Sequence, residues 1–367
     1  MELKNCQDAL VDKICLYNFS IPEIDDLDKL KKMGIVSVLE DQQRYLTLKS
    51  GEYFSMMKIE KTEFFDDMIY TVGKYEVYGR LEMSVTDDGY HNLNCFTIDQ
   101  YKEKIFDTMF FLKEQYGITV DFEYLKIKSI EINKTIVLER PFEEYQNAIT
   151  LLMYLLPGNL RLRENDYYDS DGHDRNVETY RRTIDTYLKS SGKNGITVKI
   201  YDKTKQLFER FEINVCFQYL RYEITLKSQQ SVCRALETNI IWDLSDKEIN
   251  NYFMRFQEKN VNRVYLKHCQ KRDVKLRQIL KEYYVPKSKT WTREVMVRIR
   301  EGMLHANVLY MLDIEDLVEQ VGCLRNITIQ QRYEIKKRFR QLNEKQNSVF
   351  CEKNNEKIFE LLNKLKI

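Results

Sequence analysis

From Asp185 to Leu207 the chain reads DTYLKSSGKNGITVKIYDKTKQL, and this stretch restricts the fold more tightly than any other. A turn over Ser191–Gly195, with Gly192, Asn194 and Gly195 free to take positive φ, joins two runs that alternate in polarity. In the second run Ile196, Val198 and Ile200 alternate with Thr197, Lys199 and Tyr201. The first run places Thr183, Asp185, Tyr187 and Lys189 on one face and Ile184, Thr186 and Leu188 on the other. A β-hairpin is the expectation. The charged companions of Tyr187 imply that it stands on the polar face of the sheet and outside the core.

Two further runs extend this reading. The stretch 120–138 reads as one long or bulged strand in which Ser129, Glu131, Asn133 and Thr135 oppose Ile130, Ile132 and Ile136. The stretch 215–227 alternates likewise, with Leu220, Tyr222, Ile224 and Leu226 against Tyr219, Arg221, Glu223, Thr225 and Lys227. Carboxylates are uncommon in mid-strand. Glu131 and Glu223, with Asp202 at the end of a third strand, can converge if these strands are neighbours.

Around them the pattern alternates between strand and helix. Residues 12–18 form a first strand, and Ile21-Pro22-Glu23 opens a short helix that Gly34 ends. Helices are expected from Thr97 to Tyr116, closed by Gly117, and from Pro141 to Leu156. The run DYYDSDGHD has the composition of a calcium loop. Its glycine falls at the fourth place from Asp169 rather than the sixth, and no glutamate stands at the twelfth, so it reads as a solvated loop.

The charge balance shifts along the chain. Residues 1–150 hold 18 basic against 28 acidic side chains, whereas residues 251–300 hold 14 against 4. The second imbalance suits a polyanion. It falls on a helical pattern from Asp246 to Tyr283, where Arg255, Lys259, Arg263, Lys267, Lys271 and Lys275 recur every four residues and wind slowly round the axis. These six are the candidate DNA contacts. Beyond Pro286, residues 312–342 read as two helices joined at Val321-Gly322-Cys323, the second carrying Arg332, Lys336, Lys337, Arg338 and Arg340. Either a helical hairpin or a helix-turn-helix fits that pattern.

Several classes are excluded. No stretch approaches the length of a membrane span and the first residues lack an apolar leader core, so a cytoplasmic protein is the expectation. The eight cysteines form no C-x-x-C pair and are read as reduced. Phosphate-loop, dinucleotide-binding, nucleophile-elbow and H-E-x-x-H motifs are absent.

The block Tyr187-Leu188-Lys189-Ser190, then Val198 to Lys203, then Leu220-Arg221-Tyr222-Glu223-Ile224 resembles the rolling-circle replication initiators of plasmids and filamentous-type phages. Asp12 to Leu16 is similar to the first strand of that family, and the resemblance covers about residues 10–235. It implies an α+β fold, an antiparallel sheet with helices packed on one face. Residues 1–235 would then be a nicking and joining region, and residues 236–367 a helical, partly basic C-terminal region.

The activity implied is metal-dependent cleavage of one strand at a DNA origin, partly single-stranded or folded as a hairpin, through a covalent 5′-phosphotyrosine that can later be rejoined. By position, Tyr187 would be the nucleophile, with Tyr180 an alternative or second one. Lys203 would orient phosphate, and Glu131, Asp202 and Glu223 would hold Mg²⁺ or Mn²⁺. Tyr201 is a weaker choice of nucleophile because it shares a strand with Asp202. Host helicase and polymerase are implied as partners. The chain departs from the family in lacking a His-hydrophobic-His pair among His91, His173, His268 and His305. The alternative is a non-catalytic DNA-binding regulator of replication or transcription with the same fold.

Overall fold

The structure, a computed structural model, describes residues 8–34, 36–38, 44–48, 56–60, 78–83, 92–156, 161–162, 186–190, 195–283, 292, 295, 313–324, 327–345 and 353–366. The fold is α+β. Its centre is four long antiparallel neighbours: β1 (Leu10–Tyr17), β8 (Lys126–Leu138), β12 (Gln218–Leu226) and β11 (Ile196–Asp202). Beyond β11 the sheet continues through β10 (Thr186–Ser190) and β9 (Arg161–Leu162). Beyond β1 it continues through β6 (Tyr78–Met83), β5 (Met56–Glu60), β4 (Arg44–Leu48) and β3 (Val36–Val38). A separate pair joins β2 (Ser20–Ile24) to β7 (Ile118–Asp121).

The register follows from side-chain alternation, because slipping one strand by a residue would exchange its buried and polar sets. Ile224 lies between Ile132 and Val198, and Leu226 between Ile130 and Ile196. Residues from α2 (Ile98–Tyr116), α3 (Gln146–Leu155), α5 (Gln229–Leu236) and α6 (Asp246–Gln257) share one apolar cluster with this face. A smaller helix, α4 (Lys203–Phe211), meets β12 through a second cluster of Leu93, Leu207 and Tyr219.

The sequence encodes α2 at both ends. Thr97 accepts from the Gln100 amide while the Gln100 side chain accepts from the Thr97 amide, a reciprocal capping box. Gly117 closes the helix at φ 63°, where an added Cβ would sit 2.9 Å from the Asp25 side chain.

Three boundaries differ from the sequence expectations. Ile21-Pro22-Glu23 opens no helix: Ser20–Ile24 form strand β2 against β7, and the short helix α1 (Leu27–Lys32) begins after it. Residues 120–138 form β7 and β8, separated by a turn in which the Leu125 amide donates to the Phe122 carbonyl. The core also crosses residue 235. Phe253 and Phe256 from α6, Val261 and Tyr265 beyond it, and Ile358, Leu361 and Leu362 from α10 (Asn354–Lys364) belong to the cluster that covers the sheet. The helical C-terminal region therefore begins and ends against the first region's core. Among the described residues its middle has a separate core, built from α7 (Arg263–Tyr283), α8 (Ile314–Gly322) and α9 (Ile329–Lys345).

Candidate functional site

The face of β8, β12 and β11 opposite the main core carries three cross-strand rows. One aligns Tyr201, Arg221 and Thr135, the next Lys199, Glu223 and Asn133, and the third Thr197, Thr225 and Glu131. Lys13 of β1 extends the third row, and the adjacent bulge carries Asp12. Glu131 and Glu223 therefore meet as diagonal neighbours on adjacent strands.

Hydrogen bonds and ion pairs connect these rows. The Tyr201 hydroxyl donates to Glu223 Oε1 at 2.6 Å, and Lys199 Nζ lies 3.9 Å from Glu223 Oε2. The same ammonium stands 4.4 Å from the centre of the Tyr201 ring. Arg221 is fully buried; its Nε donates to Thr135 Oγ1 at 2.9 Å and one terminal nitrogen lies 3.8 Å from Asp12 Oδ2. Its other terminal nitrogen donates to the Asn92 and Leu93 carbonyls. Asn92, at φ 46°, donates to Asp12 at 2.7 Å, and its side-chain oxygen accepts from Lys203 Nζ. Thr225 donates to Glu131 at 3.4 Å.

Burial favours the neutral form of Glu131, Lys203, Glu223 and Tyr201 in this network. Desolvation, reinforced by the charges of Glu223 and Asp12, pushes Glu131 up to about 7. Desolvation and the Arg221 cation bring Lys203 down to about 7. Glu223 is raised by burial and by Asp12, and Tyr201 is raised well above the usual phenol range by burial and the Glu223 charge. Beside this network a polar cleft of about 260 Å³ is lined by Thr186, Lys199, Tyr201, Asp202, Gln206, Glu209 and Arg210.

Glu131, Glu223 and Lys203 thus belong to one network, but two sequence assignments are corrected. Tyr187 pairs with Ile200, which fixes it on the helix-covered face within the main core, whereas Tyr201, equally buried, lines the polar cleft on the other face. Tyr187 and Lys189 share a face, but it is the covered face, because Lys189 is itself buried. Its ammonium donates to the Met153, Tyr154 and Leu156 carbonyls at the end of α3. Asp202 instead caps α4, accepting from the Lys205 amide and the Gln218 side chain, both at 2.9 Å.

The expected Mg²⁺ or Mn²⁺ ligand set is consequently divided. Among the described residues no three His, Cys, Asp or Glu side chains form a group that could hold a metal ion. Positive charge reaches Asp12 from Arg221 and Glu223 from Lys199. These residues do not fit a resident divalent cation. Tyr180, His173 and the acidic loop around them lie outside the described residues.

Sequence reading did not select Asp12, Asn92 or Tyr201 for the network. Asp12 lies in the first strand, and the motif Tyr201-Asp202-Lys203 was visible, but Asn92 had no sequence signal. Along the predicted DNA-binding row, Arg255, Lys259, Arg263, Lys267, Lys271 and Lys275 are all exposed. Two already hold acids: Arg255 binds Glu237 at 3.1 Å and Arg263 binds Glu258 at 2.9 Å. The helical stretch continues from Asp246 to Tyr283 through a π turn at Glu258–Asn262. No helix among the described residues is long and apolar enough to cross a membrane.

No family model and no curated protein matches this chain. Among solved structures, it is similar to a rolling circle replication initiator protein from Geobacillus stearothermophilus, with 15% identity and a TM-score of 0.29 over 61% of this chain and 76% of that one. A likeness of that size assigns neither activity nor family.

Proposed function

We propose that this chain is a replication initiator that cuts and rejoins one strand of DNA, with its chemistry on the polar face of β8, β12 and β11. The reading rests on one observation. Tyr201, Lys203, Arg221 and Glu223, from two motifs that are separate in sequence, enter one network in which the Tyr201 hydroxyl already donates to the Glu223 carboxylate. A phenol bonded to a carboxylate is a nucleophile paired with its base. In the proposed step the Tyr201 oxygen bonds to phosphorus as the P–O3′ bond breaks. Glu223 takes the phenolic proton, and the leaving 3′ oxygen takes one from the Lys199 ammonium on the cleft wall. The adjoining cleft, with Lys199 and Arg210 on its wall, is the place for the phosphodiester. The product would be a 5′-phosphotyrosine and a free 3′ hydroxyl, from which a host helicase and polymerase could continue.

The test uses hairpin-forming palindromes from within and beside the coding sequence as single strands labelled at the 3′ end, resolved by denaturing electrophoresis. Wild type and Tyr187→Phe should form a covalent adduct and Tyr201→Phe should not. An adduct lost in Tyr187→Phe or Tyr180→Phe but kept in Tyr201→Phe would overturn this choice of nucleophile. Binding without an adduct in wild type would favour the non-catalytic regulator, a reading supported by carboxylates that already have cationic partners within the chain.

A further inference from the structure

Helices α7, α8 and α9 enclose a core separate from that of the sheet, in which Leu276 and Leu280, Leu317 and Val321, and Ile335 and Phe339 meet. The start of α9 is fixed by Thr328. The Gln331 amide donates to Thr328 Oγ1 at 3.2 Å, and the Thr328 amide donates to Gln331 Oε1 at 2.9 Å. Arg332 reaches back to the Leu324 carbonyl at 3.1 Å. Leu324 and Ile327, between the two helices, are buried in the shared core.

The other side of α9 is uncovered. With Ile335 and Phe339 turned inwards, the advance of about 100° per residue aligns Gln330, Tyr333, Lys337 and Gln341 on the opposite side. All four are exposed, Tyr333 by 60%, and Ile329 at the head of the helix is 86% exposed. The helix carries Arg332, Lys336, Lys337, Arg338, Arg340 and Lys345 against only Glu334 and Glu344. Two of the acids on neighbouring α8 are engaged: Glu315 pairs with Arg340 at 2.9 Å and Asp316 with Arg272 at 2.8 Å. A basic helix whose outer stripe contains amides, a phenol and an ammonium complements a nucleic-acid groove in both charge and hydrogen bonding.

We propose that α8 and α9 form a helix-turn-helix and that α9 reads duplex DNA from the major groove. Gln330, Tyr333 and Lys337 meet base edges, while the flanking arginines and lysines meet phosphates. Glutamine suits adenine, lysine suits the acceptors of guanine, and exposed apolar surface suits the thymine methyl. The B-form major groove admits a helix and the A-form groove does not, so the partner is DNA. This surface is distinct from the Tyr201 network and does not depend on cleavage.

The experiment selects random-sequence duplexes with the full chain and sequences those retained. Wild type should enrich one motif. Gln330→Ala with Tyr333→Ala should reduce preference for that motif over a scrambled duplex by about tenfold, while binding to the scrambled duplex changes less than twofold. Lys337→Gln should relax the preference at one position. Superimposable unfolding curves for variants and wild type exclude a folding defect. No enriched motif, an unchanged motif in the double variant, or selective retention of RNA would overturn the proposal. Both variants should keep any adduct formed on a single strand, so loss of cleavage and loss of sequence reading are separable failures.

Discussion

The two faces of the central strands place similar side chains in opposite circumstances. On the helix-covered face, buried lysines serve the backbone: Lys134 donates to the Lys366 carbonyl, and Lys189 to three carbonyls at the end of α3. On the other face Lys199 and Arg221 meet carboxylates, and Lys203 shares Asn92 with Asp12. A cation serving carbonyls completes a helix or chain end and asks for no second charged group. A cation among acids makes each group's protonation depend on the others. The first arrangement closes the fold. The second supplies groups that titrate near neutrality.

This contrast is broken most severely at Arg221. Replacing it with Met leaves Asp12 and Glu223 without their buried cationic neighbour, and should lower unfolding stability by about 3–5 kcal/mol in urea titrations. Ile224→Val, one methylene removed from the covered face on the same strand, should cost about 0.5–1.5 kcal/mol. If Arg221→Met proves the milder change, the polar face is not held together by its charges.

Alternation along β8, β11 and β12 made the opposition of the faces legible in sequence, including the meeting of Glu131 with Glu223. It cannot reveal which set is covered when both contain polar groups. Tyr187 shares its face with Lys189, and a lysine ordinarily signals solvent; here the end of α3, distant in sequence, supplies carbonyls that bury it. Asp202 shows a related ambiguity, since an aspartate before Lys-Thr-Lys reads equally as a ligand or as a helix cap. Asn92 could not be found because its contacts join residues 80 and 111 positions away. The core crosses residue 235 for the same reason: the amphipathic helices α6 and α10 show an apolar side but not the surface it meets.

Titration gives an effect of intermediate size. Glu131 has a folded pKa of about 7, above its reference value of 4.5, so the folded chain binds the extra proton between them and stability falls as pH rises through that interval. Glu131→Gln should consequently raise stability at pH 8 by up to about 3 kcal/mol and leave it nearly unchanged at pH 4. Lys203 runs the other way. Its folded value of about 7 lies below the reference 10.5, so the penalty of protonating it in place is present below pH 7 and fades as pH rises towards 10.5. Lys203→Met should stabilise at pH 6 and have little effect at pH 10. Parallel profiles for the two variants, measured by denaturant unfolding, would show that these sites are not perturbed in opposite senses.

The smallest expected effect is also the finest comparison, between two hydroxyls on opposite faces. Tyr201→Phe removes a 2.6 Å bond to a carboxylate, a charge-assisted contact whose loss should cost about 1.5–3 kcal/mol above neutrality. Glu223 loses a donor that stabilises its ionised form, so its already raised pKa should move further up. Tyr187→Phe removes a hydroxyl from a ring packed in the apolar core and should cost no more than about 1 kcal/mol, with no change in the pH profile of unfolding. Unfolding of both variants at pH 6 and pH 8 decides the matter. Equal costs at both pH values would mean that the Tyr201 hydroxyl is not coupled to Glu223 ionisation, and the proposed nucleophile would lose its base.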